Sequence, residues 1–213
     1  MNKLLTTIIV LCTFSLLGFA QEKSYRYMVM GVPQHILNNS VRIEIDLAQK
    51  NSRKWLTLAP QLYYAGEDSN NNLSTQDYES LKGAGFELLS RTFLTGKNHG
   101  EGIYLSWGGG YRFVSIGIDD YIWKPYSENG LTCYRQQQAK LNINTHGLSG
   151  RVTAGYQFNL SDIMYADIFV GFGIKYTLYD RPQGSYHTFN QNTFDYGYTG
   201  TLFVGGFRLG VAL

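Results

Sequence analysis

Cysteine is nearly missing from this chain: among 213 residues there are only Cys12 and Cys133. Cys12 lies inside an apolar leader, so once the leader is removed Cys133 has no partner, which excludes an intramolecular disulfide and any thiolate metal cluster. Proline is scarce, with four residues, and so is histidine, also with four. His35, His99, His146 and His187 all fall in predicted turns or loops, and no HExxH or comparable metal-ligand spacing occurs. Neither sign of charge dominates, the formal net charge being +2, so no nucleic acid or other strongly charged partner is expected. Beyond the leader no second long apolar run is present, which argues against helical membrane spans.

The leader itself, residues 1–20, has Lys3 at its start, an apolar core (LLTTIIVLCTFSLLGF) and Gly18-Phe19-Ala20 before Gln21. That order matches a cleaved signal peptide and leaves 21–213 as one domain.

What is abundant is glycine (24), tyrosine (17) and phenylalanine (12). Aromatic residues favour strands, and glycine is tolerated on the walls of curved sheets. The last stretch, YTGTLFVGGFRLGVAL, sets Phe203, Phe207, Leu209, Val211 and Leu213 on one face, with Gly206, Arg208 and Gly210 on the other. A period of two identifies a strand. The same alternation places Val41, Ile43, Ile45 and Leu47 against Arg42, Glu44 and Asp46, and Ile168, Val170, Phe172 and Ile174 against Asp167, Gly171, Gly173 and Lys175.

Eight strands follow, over 24–32, 40–48, 55–65, 83–94, 101–116, 147–158, 164–178 and 198–213. Pro60 predicts a bulge or weakened pairing within the third. The connections alternate between short (49–54, 95–100, 159–163) and long (66–82, 117–146, 179–197), as in bacterial outer-membrane barrels. The expectation is therefore all-β: an eight-stranded antiparallel transmembrane up-and-down β-barrel in a Gram-negative outer membrane, with both termini periplasmic.

In such a barrel Arg42, Glu44, Asp46, Glu87, Arg91, Arg112, Arg151, Asp167, Lys175 and Arg208 face the lumen as a polar network. Arg112, Arg151, Asp167 and Arg208 are its leading members, because their strands alternate most cleanly. Six of the ten are basic and four acidic. Trp123, Tyr126, Tyr134 and Tyr186 mark the long loops as contact surfaces. No catalytic, metal or cofactor residues can be assigned, and the chain is expected not to be an enzyme.

The leader, SVRIEIDLAQKNSRKWLTLAPQLYYAG and GTLFVGGFRLGVAL together resemble the small outer-membrane β-barrel domain of Bacteroidetes, akin to the transmembrane barrel of OmpA-like proteins. The resemblance implies a non-enzymatic envelope protein with an occluded lumen, in contact with outer-membrane lipid and lipopolysaccharide. It also implies surface binding, or a place in a larger outer-membrane complex, through the long loops. A narrow solute pore is the alternative function, a membrane enzyme ranks below it, and a soluble secreted β-domain is the alternative structure.

Overall fold

The computed structural model describes residues 27–49, 53–66, 78–95, 100–180 and 190–213. The leader 1–20 and Tyr186 lie outside the described residues. Eight strands occur: β1 (Tyr27–Gly31), β2 (Ser40–Ala48), β3 (Lys54–Ala65), β4 (Ser80–Phe93), β5 (Gly102–Glu128), β6 (Leu131–Asn159), β7 (Met164–Tyr179) and β8 (Gly200–Ala212). A short 3-10 helix, Pro33–Asn38, joins β1 to β2. Every neighbouring pair is antiparallel, and β1 pairs with β8 to close the ring.

That closure is confined to one end. The β1–β8 ladder runs only from Met28 to Gly31 against Ala212 to Leu209. It lies at the end where Leu213 N–H donates to Tyr27 O, 2.9 Å, here the lower end. β1 stops early because Pro33 has no N–H to continue a ladder and starts the short helix instead. Above Leu209, β8 is paired with β7 alone, so its edge from Gly200 to Arg208 faces the short helix rather than a strand. The regular transmembrane up-and-down barrel is thus corrected to a barrel sealed at the bottom and split at the top. An unsatisfied strand edge is costly in hydrocarbon, so a wall with this seam is not a uniform spanning surface. No helix among the described residues is long and apolar enough to cross a membrane, a statement that concerns helices only.

A second correction concerns 117–146, expected as the longest loop. It is strand throughout except for a turn at Asn129-Gly130, where both residues have positive φ (53° and 79°). Such a pair builds the two-residue hairpin turn that matches strand twist. Beyond Gly117 and Asn142 the two strands pair with each other and form a protruding ribbon. The outer-membrane location with periplasmic termini leaned on short and long loops alternating; with its longest loop turned into strand, that premise falls and the assignment is withdrawn. The structure puts the first described residue and Leu213 at one end of the barrel and assigns neither to a compartment.

Of the predicted 24–32 strand, residues 24–26 lie outside the described residues, and the described part is strand over Tyr27–Gly31. At Pro60 the register stays constant, but the β2–β3 ladder lapses between Arg42↔Gln61 and Ile45↔Leu58. The missing donor weakens pairing there without a bulge. Along the wall, side chains alternate strictly. Leu56, Leu58, Phe86, Leu88, Leu105, Val152, Val170, Phe172 and Phe203 are exposed outside, whereas Arg42, Glu44, Asp46, Arg91, Asp167 and Arg208 are buried inside.

Candidate functional site

The interior is layered. At the bottom Met28, Met30, Trp55, Phe93, Tyr104, Tyr165, Phe169 and Ala212 form an apolar cluster. At the top Tyr63, Leu81, Val114, Ile116, Ile143 and Tyr196 form another. Between them lies an ionic layer supplied by five strands. Glu44 on β2 is its hub: it meets Arg42 (2.8 Å), Arg91 (3.5 Å), Arg151 (3.5 Å) and Arg208. Glu87 on β4 pairs with Arg42 (2.8 Å) and Arg151 (3.0 Å). Arg91 binds Asp46 at 2.9 Å, and Arg208 binds Asp167 at 2.8 Å.

Neutral groups complete the layer. Thr57 Oγ1 donates to Asp46, Tyr104 OH donates to Asp167 Oδ1 (2.8 Å) and Arg91 donates to Gln157 Oε1 (2.9 Å). Tyr104 also receives a hydrogen bond from Arg208 and lies under the Arg91 guanidinium, 4.7 Å from its ring centre. Its ring spans this position because residue 155 on the facing strand is glycine, whose missing Cβ would occupy the same space. Four arginines and four carboxylates therefore neutralise one another where Glu44, Asp46 and Asp167 have no exposed surface. Buried charges persist only when paired in this way.

Of the ten lumen residues predicted, this layer unites eight: Arg42, Glu44, Asp46, Glu87, Arg91, Arg151, Asp167 and Arg208. Arg112 and Lys175 stand apart from it. Arg112 donates to Tyr196 O (2.6 Å) and Lys175 to Asp195 O (2.7 Å), both on the segment before β8. They line a cavity of about 600 Å³ that rests on the ionic layer. Its walls include Gln34, His35 and Asn38 of the short helix, Gln61 and Tyr63 of β3, Ser149 of β6, and Phe169, Leu202 and Val204. Asp195 is the acid at this level; its Oδ2 accepts the amides of Gln191 (3.0 Å) and Asn192 (2.8 Å). Among the described residues the cavity lining contains Arg42, Arg112, Arg151 and Lys175 with Glu87 as its carboxylate, and Glu87 is already paired with Arg42 and Arg151. Burial, with the Arg112 charge beside it, holds the Lys175 amine down at about 6. Arg112 folds over Gly147 and acts on Lys175 as a like charge, and its Nε is buried without a hydrogen-bond partner.

The short helix forms one side of this cup. His35 Nδ1 lies 3.3 Å from Ser40 Oγ, and Ser40 Oγ donates to His35 O (2.9 Å). Burial, aided by the Arg42 charge, holds the His35 imidazole down at about 4, so it is neutral at pH 7. Gln34 occupies the space over Gly206 of β8, and its buried Oε1 lacks a partner. Ile36 and Leu37 point outward, 66% and 64% exposed.

Trp123, Tyr126 and Tyr134, expected on loops, sit on the ribbon strands, so the reading of surface binding through long loops is corrected. The alternative of a narrow pore fails as well, because the apolar cluster and the ionic layer fill the lower lumen. Gln34, His35, Tyr104, Gln157 and Asp195 escaped the sequence reading. Alternation already put Tyr104 and Gln157 on the inner face; Gln34, His35 and Asp195 lie in the short helix or a turn, where period-two patterning is silent. No family profile, curated protein or solved structure matches the chain. The likeness to outer-membrane barrel domains of the Bacteroidetes and OmpA-like type therefore has no relative behind it and is not carried forward.

Proposed function

We propose that the chain is a non-catalytic binding barrel whose upper cup takes a small organic anion and whose apolar outer wall is covered by lipid. The observation that carries the cup is its lining: Arg112 and Lys175 border it, and its carboxylate, Glu87, is already paired with Arg42 and Arg151 in a layer neutral in itself. An anion placed beside Arg112 and Lys175 offsets the burial and like charge that hold the Lys175 amine down, so its entry favours the protonated amine, and the ionic layer has no carboxylate left to do the same. The volume falls within the roughly 300–1,000 Å³ usual for small-molecule sites. A non-catalytic role is supported by the ionic layer, whose charged groups are held in ion pairs with one another. Lipid as the covering is supported by the exposed Leu, Val and Phe on the outside of the strands, since apolar surface this extensive marks an interaction face.

Calorimetric titration of the full chain in neutral detergent tests the cup. Hexanoate is expected to bind at least about tenfold more tightly than hexanamide, and Lys175→Met is expected to erase the difference. Equal affinity for acid and amide, or no binding of either, overturns it.

A further inference from the structure

The seam and the cup are one feature. Thr201, Leu202, Phe203, Val204 and Gly205 of β8 line the cavity, and the same strand lacks a ladder partner from Gly200 to Arg208 on the side of the short helix. The cavity therefore reaches a part of the wall that no strand ladder seals. What covers that part is amphipathic in the sense a strand would be. Gln34, His35 and Asn38 face the cup, while Ile36 and Leu37 continue the apolar outer surface. Toward β2 and β3 the cover is anchored, by Val32 N–H to Arg42 O (3.3 Å), Tyr64 N–H to Asn39 O (2.9 Å) and the His35–Ser40 contacts, and Tyr196 OH donates to Asn38 O (2.8 Å). Toward β8, among the described residues, no backbone hydrogen bond joins the cover to the strand, and Gln34 simply lies over Gly206. Along the β7–β8 wall the cavity changes character with height: Lys175 stands opposite Gly200, and Phe169 stands lower, opposite Gly206, with Leu202 and Val204 between those levels.

Resting on the anion-binding reading above, we infer that the split between β8 and β2 is a lateral entrance, with the short helix as its cover, for a single-chain amphiphile with an acidic headgroup. The headgroup lies between Arg112 and Lys175. The chain runs past Phe169, Val204 and Leu202 and leaves under Ile36 and Leu37 toward the apolar outer surface. A carboxylate or a phosphate headgroup satisfies the same two cations, and either keeps the apolar chain out of water along its whole path.

The test uses the full chain carrying Cys133→Ser, Gln34→Cys and Gly206→Cys, so that a short bis-methanethiosulfonate reagent ties the cover to β8 and reduction frees it. The probes are 11-(dansylamino)undecanoic acid, its methyl ester, and hexanoate. Before bridging, the long acid is expected to bind at least about tenfold more tightly than its ester, and Arg112→Gln or Lys175→Met to remove that preference. After bridging, the long acid is expected to lose at least about tenfold in affinity while hexanoate keeps its own, and reduction restores the first value. Unchanged binding of the long acid in the bridged protein overturns the lateral entrance and leaves the cup standing. Hexanoate binding with no preference of the long acid over its ester overturns the amphiphile. Failure of hexanoate to bind the unbridged protein removes the cup as well.

Discussion

The lower and upper halves of this barrel use charge in opposite ways. Below, four arginines and four carboxylates cancel within a sealed ring of strands, with apolar side chains packed beneath them. Above, where β1 has ended and the ring is split, Arg112 and Lys175 border open space and lean on carbonyl oxygens. A buried ion layer with every charge matched acts as a structural plug, whereas the groups beside the cavity are the ones we propose to receive an anion. The contrast is set by how many acids each level contains, since both halves draw their cations from the same alternating strand faces.

The largest effect should come from breaking the plug. Glu44→Leu takes a shared carboxylate from four arginines at once, leaving them with three acids among them, and is expected to cost about 3–5 kcal/mol, read by chemical denaturation. In the cup, Arg112→Gln should cost about 1 kcal/mol or less, because Arg112 leans on a carbonyl and not on a carboxylate. If the two substitutions prove equally damaging, the distinction between plug and cup collapses. Tyr104→Phe comes next, at about 1–3 kcal/mol, since it removes the hydroxyl that links Arg208 to Asp167.

Acid should loosen the cover without touching the plug. His35 in the folded protein titrates at about 4, below its ordinary 6.5, so the unfolded or undocked segment binds the extra proton more readily between those values. Docking of the short helix is complete above pH 6.5 and is lost as the pH falls through about 4. Hydrogen exchange at residues 33–39 should speed up over that interval, and His35→Gln should abolish the dependence. Exchange that stays flat from pH 7 to 4 would refute the role of His35. The smallest effect belongs to the ribbon: replacing 121–138 by Asn-Gly should shift stability by about 0.5 kcal/mol or less, because those residues pair with one another and with no other strand.

The faces of the strands were readable in advance. Leu56, Leu58, Phe172 and Phe203 outside, with Glu44, Asp167 and Arg208 inside, follow directly from alternation. The ribbon was readable but overlooked; its mark is Asn129-Gly130, a hairpin turn pair between strand-forming residues. The division of ten charges into eight and two was not readable. It depends on height in the barrel, and height depends on register, which places Asp167 opposite Arg208 but Lys175 opposite Gly200. The seam was hidden for a related reason. Pro33 announces the end of β1, yet only the pairing of the first strand with the last shows that nothing replaces it beside β8.

The order of residues alone determined which side chains share a face, because neighbours on a strand point to opposite sides whatever the strand pairs with. It also determined that charge would face inward, since the other face is uniformly apolar. Only the tertiary structure decided which charges meet, where the ring fails to close and where a cavity remains. Those follow from register and ladder length between segments far apart in the chain, quantities that no local pattern contains.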